Sequence, residues 1–207
     1  MKMKTKRKAL LLSLCAVLLV VASVMGTMAY LTAQDSVTNT FTVGKVGLTL
    51  DEAKVDTNGK KTDAPRVKAN DYTLLPGKDY DKDPIVHVTA GSEDSWIFVK
   101  VENGLADYEA GQSTSYDQIT KQITDNGWVA VPNTTGVYYK EYSKTNPVAD
   151  HPVFENFKIA DDANGKLGWE NITATNAATK IIVTAYAVQK TGLTVQEAWG
   201  VAQSSNN

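Results

Sequence analysis

The chain has 207 residues, with 21 lysines and arginines against 23 acidic residues, a formal charge of −2. That average conceals two unlike parts. Residues 1–29 hold Lys2, Lys4, Lys6, Arg7 and Lys8 and no acid, so the other 178 residues carry 16 basic and 23 acidic groups, a net of −7. A surface of that sign repels nucleic acid and anionic membrane and excludes a polyanion-binding role. At 43% hydrophobic and 21% charged residues the chain is not compositionally disordered, and its length suits one domain with a proper core.

The basic start, the apolar run Ala9–Met25 and the small residues of Gly26-Thr27-Met28-Ala29 have the three-part layout of a secretory signal. Cleavage is expected between Ala29 and Tyr30, which divides the chain into a signal, 1–29, and a secreted domain, 30–207. The apolar run approaches the roughly 20 residues that span a bilayer. Retention as an anchor with its basic end inside is therefore the alternative. Export follows either way, with the membrane touched only through this segment. Cys15 lies inside the run, and Leu14 stands where lipidation would want a small residue. The processed chain would have no disulfide, no thiol nucleophile and no thiolate ligand.

Beyond the signal, Thr38–Leu50 alternates apolar and polar residues with a change of phase, which predicts a strand bent at Gly44-Lys45. Residues 51–71 are polar, with Asn58-Gly59 as a turn signal, and read as a solvated loop or a ragged hairpin. The runs Ile85–Thr89 and Trp96–Val101 are apolar on nearly both faces, as central strands packed on two sides would be. Tyr116, Ile119 and Ile123 have helical spacing, and Asn126-Gly127 ends that helix. Trp128–Val131 and Val137–Tyr142 flank Pro132–Gly136 as a hairpin. Val153–Ile159 reads as a strand, and Lys180–Val188 as the strongest strand of all. Thr194 and Glu197 have capping-box spacing before a short helix through Trp199. About seven or eight strands, two short helices and no βαβ rhythm predict an all-β, antiparallel β-sandwich of jelly-roll type.

Chemistry-bearing motifs are sparse. His87 and His151 are far apart, no His-Glu-x-x-His occurs, and no Gly-x-Ser-x-Gly elbow or glycine-rich phosphate loop is present. The expectation is no catalytic residue, no metal ligand set and no cofactor, hence no enzyme. Asp79, Asp81 and Asp83 begin with calcium-loop spacing, but Pro84 and Ala90 stand where glycine and glutamate are needed. They and the group Asp161, Asp162 and Asn164 read as solvated acidic loops, with a looser calcium site as the alternative. Asn133 and Asn171 open N-x-Thr sequences that read as turns. Trp96, Trp128, Trp169, Trp199 and the tyrosines read as core and cross-strand pairs. A carbohydrate platform would instead require Tyr138, Tyr139 and Tyr142 to present flat faces on one surface.

Gly26–Thr32 followed by Phe41–Leu50, then Leu75–Val86 with Trp96–Val101, and finally Ala185–Gln189 with Glu197–Trp199, resemble the TasA/camelysin family. Residues 103–175 carry no part of the resemblance. It implies a secreted jelly roll of Gram-positive bacteria, processed by a SipW-like signal peptidase, that builds biofilm-matrix or cell-surface fibres as a homopolymer, with a matrix accessory protein as a further partner. The metalloprotease activity described for camelysins finds no zinc motif here. Strand addition between copies supplies a mechanism. The segment freed by cleavage, with Tyr30, Leu31, Val37 and Phe41, is the expected donor strand. The other expectations are a secreted or anchored, adhesin-like binding module and, after it, a metalloprotease, which would need His87 and His151 brought together with a carboxylate.

Overall fold

The computed structural model describes residues 32–36, 39–40, 46–166, 168–169, 172 and 180–204. Ala29, Tyr30, Leu31, Val37, Phe41, the bend at Gly44-Lys45 and Asn171 lie outside the described residues. The strands are β1 (Thr32–Ser36), β2 (Asn39–Thr40), β3 (Leu48–Asp51), β4 (Asp79–Asp81), β5 (Ile85–Val88), β6 (Ser95–Asn103), β7 (Val129–Ala130), β8 (Val137–Tyr142), β9 (Asp150–Pro152), β10 (Asn156–Lys158) and β11 (Ile181–Gln189). The helices are α1 (Ile119–Asp125) and α2 (Val195–Ser204). The architecture is mostly β, with every strand pair antiparallel.

A six-stranded sheet runs β2-β1-β11-β6-β8-β7. Its centre is the ladder of β6 and β11, from Ile181 opposite Asn103 to Gln189 opposite Ser95. Alternation sends Ile97, Val99, Val101, Val183, Ala185 and Ala187 to the inner face, where they meet the second sheet. Phe98, Tyr186 and Val188 point outward and are covered by Val195, Ala198, Trp199 and Ala202 of α2. Both faces are thus buried over Ile97–Val99 and Ala185–Val188, where the sequence is continuously apolar. The Thr194 Oγ1 accepts from the Glu197 amide at 3.4 Å while Glu197 Oε2 accepts from the Thr194 amide at 2.8 Å, closing the expected capping box. The helix runs beyond Trp199 to Ser204, because Ala202 continues its apolar stripe onto the sheet.

The second layer is built from β3-β5-β9 and β4-β10. Pro84 has no N–H to give, so the ladder breaks between β4 and β5. It resumes through the Lys82 amide donating to the Glu155 carbonyl and the Val153 amide donating to the Pro84 carbonyl, both at 2.9 Å. The expected single strand Val153–Ile159 is corrected to β10 alone. Val153 and Phe154 are consecutive and both fully buried, which a pleated strand cannot provide, so the chain kinks there. The expected strand Thr38–Leu50 is also divided: β2 belongs to the first sheet and β3 to the second.

Residues 51–71 form the ragged hairpin, bridged at Glu52–Val67 and Val55–Lys61. Asp56 Oδ1 accepts from the amides of Asn58 and Lys60, and Gly59 takes φ +73°. A Cβ at Gly59 would stand 2.4 Å from the Tyr80 ring, so only glycine lets the hairpin tip lie on the second layer. In α1, Ile119 and Ile123 face the core and Gly127 follows at φ +79°.

Candidate functional site

Two features stand out: a groove beside a strand edge, and a charged face of the second layer. On the edge of β11 away from β6, β1 pairs Thr32 to Asp35 with Val188 to Ala185. It then turns back, Ser36 opposite Asn39. Among the described residues, Ile181–Thr184 have ladder partners on β6 but none on that other edge. Beside this half-edge lies a groove of 670 Å³, walled by Leu50, Tyr72, Phe157, Trp169, Ile181 and Val183, with Glu52, Lys68 and Lys82 on its polar side. The volume falls in the range of ordinary ligand pockets. Apolar β-branched residues at an unpaired edge also form the template that accepts an extended chain.

The polar floor of the groove is internally satisfied. Glu52 is 4% exposed; its Oε2 pairs with Lys82 and its Oε1 accepts from Asn70 at 3.0 Å. Asn70 also donates to the Ala53 carbonyl and accepts from the Val55 amide. The Tyr72 hydroxyl donates to the Asp81 carbonyl at 2.9 Å. Burial, with the nearby charges of Glu52, Asp83 and Asp81, pushes that phenol well above its ordinary pKa.

Asp79, Asp81 and Asp83 hold the hairpin. Lys60 pairs with Asp79 and with Asp81, and Lys61 with Asp83 at 3.2 Å. Asp83 also accepts from the Ala53 amide at 2.7 Å and from Arg66 at 3.2 Å. Arg66 reaches Asp51 through Nε and gives Nη2–H to the carbonyl of Asp83 at 2.9 Å. Among the described residues no group of three or more His, Cys, Asp or Glu side chains is placed to hold a metal. Asp161 and Asp162 are exposed at a turn.

His87 and His151 come together in sequence register but not in space. His87 pairs with Asp150 and Val86 with His151 across β5 and β9, so the two imidazoles point to opposite faces. A zinc centre using both, as the protease alternative requires, has no common side to occupy. His87 spans three strands: when protonated, its Nδ1–H donates to Asp150 at 2.7 Å and its Nε2–H to Asp51 at 3.0 Å. Burial opposes that charge, but the two carboxylates outweigh it and hold the His87 pKa above 6.5. The same contacts, with Arg66, outweigh burial at Asp51 and hold its carboxyl below the usual range.

The sign of the pH effect follows. A raised histidine pKa contributes stability that is complete below the unfolded value and lost as the pH rises through the folded value. His87→Gln should remove this contribution. The stability gap between wild type and variant, measured by urea unfolding from about pH 6 to about pH 9, should therefore shrink as pH rises. A gap independent of pH would show that His87 is not a charged clasp.

The aromatic platform is not formed. Tyr142 is buried, while Tyr138 packs on the inner core and Tyr139 on the opposite face against Trp96. Trp96, Trp128 and Trp199 lie in or against the cores as expected, with Trp199 set on Phe98 and Tyr186 at 5.5 and 5.3 Å. Asn133 sits at φ +58° in the β7–β8 loop, the turn role read from the sequence. Sequence reasoning passed over Arg66, Lys82 and Glu52. The signal that could have flagged them was the dense mixture of charges in residues 51–83, an unusual density for a loop without partners. No family model matches the chain, and neither a curated protein nor a solved structure matches it.

Proposed function

We propose that the chain is a secreted, non-enzymatic structural subunit of extracellular matrix or cell-surface fibres, of the TasA/camelysin kind. It is exported by its N-terminal signal and cut by a SipW-like peptidase. The observation that carries this reading is the placement of β1. It is an added strand on β11, and among the described residues its ladder partners are β11 and its own two-residue partner β2. A strand attached in this way can dock on its own β11 or on that of a second copy with the same register and nearly the same energy. Exchange from copy to copy is head-to-tail and does not close, so it yields a filament. The half-edge Ile181–Thr184 and the adjoining groove extend the acceptor beyond what β1 covers. A jelly-roll connection of the two layers belongs to this proposal. A second reading, a binding module, is favoured by the groove itself, whose mixed apolar and charged lining suits a peptide or small ligand.

The test is negative-stain microscopy of residues 30–207 beside 41–207 at matched concentration, after circular dichroism has shown both folded. Filaments from the first and monomers from the second support strand exchange. Filaments from both, or monomers from both, overturn it, and the second of these results moves the weight to the binding module.

A further inference from the structure

His151 and its surroundings have no part in fibre assembly as proposed above, yet they form the least ordinary polar site of the described core. The residue belongs to β9, a three-residue strand that among the described residues pairs with β5 alone and ends in Pro152, which has no amide hydrogen to give. His151 is 5% exposed and points inward between the rings of Trp128 and Tyr142, at 6.4 and 6.5 Å. Its Nε2 is buried without a hydrogen-bond partner among the described residues. An orphaned buried nitrogen is costly when neutral and far more so when it carries a charge.

We propose that His151 is an acid-sensitive latch: as the neutral imidazole it seats β9 in the core, and as the cation it releases β9 from β5. Among the described groups around it, the counter-charge offered to the cation is weak. From β8, Lys140 stands on the same inner face, its Nζ 4.9 Å from the centre of the Trp128 ring, and adds a second positive charge. Tyr142, also from β8, presents a neutral ring. From β5 the cross-strand neighbour is Val86, and Val153 and Phe154 follow in the chain. Asp150, on β9 itself, turns to the other face and is engaged by His87. Burial, reinforced by Lys140, accordingly keeps the His151 pKa below 6.5, against weaker opposing pulls from the Val148 backbone and Asp150.

The two histidines answer acid in opposite senses, and the inner one decides the outcome. His87 has a pKa raised by the carboxylates of Asp51 and Asp150, so acid strengthens its clasp rather than loosening it. For His151 the sign is reversed. A depressed histidine pKa leaves the native state short of a proton, and stability is lost as the pH falls from about 6.5 through the folded value. The structure that yields first is the weakest one touching the new charge, the short β9 ladder, while β6 and β11 remain paired.

Amide hydrogen exchange on the full chain tests this directly. The Val88 amide, which donates to the Ala149 carbonyl at 2.8 Å, and the Val153 amide report the β9 joint. Those of Phe98 and Tyr186, opposed in β6 and β11 in phase with the Gly104–Lys180 and Lys190–Asp94 backbone hydrogen bonds, report the central ladder. Between about pH 7 and about pH 5 the protection of the first pair should fall about tenfold or more while the second pair holds, and His151→Phe should abolish the difference. Uniform loss at all four amides, or the same local loss in His151→Phe, overturns the latch and assigns the acid response to carboxylates. If His151→Phe does not fold, an NMR titration of His151 in the wild type decides. A midpoint below 6.5 that coincides with the loss of Val88 protection supports the latch, and a midpoint at or above 6.5 overturns it.

Discussion

Lys82→Met should destabilise the protein by about 3–5 kcal/mol, because it strands a carboxylate in the interior. Lys82 and Glu52 have side chains only 12% and 5% exposed, so solvent screening weakens their attraction little. After the substitution, the neutral amide of Asn70 would be the donor left to the Glu52 carboxylate among the described residues. Glu52→Gln leaves the lysine in the corresponding position, but its flexible stem can carry the ammonium to water, so the loss should be smaller. The double variant Glu52→Leu/Lys82→Met is the informative one. It removes both desolvation costs together, and its stability should return to within about 1 kcal/mol of wild type or exceed it. Urea unfolding at neutral pH measures all three. A Lys82→Met loss below about 1 kcal/mol would mean that Glu52 finds water, and that the pair is not a buried one.

Truncating Trp128 should cost a similar amount for a different reason. The side chain is 2% exposed, and its Nε1–H donates to the Pro152 carbonyl at 2.8 Å. It therefore fills the inner core and ties the start of the β7–β8 hairpin to the end of β9. Trp128→Ala should lose about 3–5 kcal/mol through the cavity alone. Trp128→Phe restores most of the volume but orphans the Pro152 carbonyl, and about 1–3 kcal/mol should still be lost. Both variants remove the ring over which Lys140 lies and against which His151 packs. A useful control is Trp169→Ala, at a half-buried residue on the groove wall, which should be mild. Equal losses at Trp128 and Trp169 would contradict the core assignment.

How much of this was legible depends on the range over which each interaction acts. The strands β6 and β11, α1 and the capping box were readable because apolar runs, i to i+4 spacing and a Thr-x-x-Glu are local patterns, whereas the pairing of β6 with β11 was not. The kink at Val153–Phe154 was not, since two adjacent apolar residues look like strand until the second layer shows that both face inward. Residues 51–71 read as polar chain because each charge finds its partner far away in sequence: Arg66 on Asp51 and Asp83, Lys60 on Asp79 and Asp81, Lys82 on Glu52. The histidines show the same limit. Their opposite environments follow from one cross-strand register, Val86 opposite His151, which no property of either residue alone discloses.

The pairing of β1 with β11 joins residue 32 to residue 188 and so spans nearly the whole chain. Contacts of such long sequence separation carry the largest loop-closure entropy and form late in folding. β1 is the first described strand to be synthesised and, by this argument, the last to find its place, because its template is the last described strand to be made. Throughout that interval the rest of the sheet can be complete while the strand is still unattached. Under the exchange proposed above, timing as much as affinity would govern whether it closes on its own β11 or on that of a neighbour, and a setting where many copies emerge together would favour the neighbour.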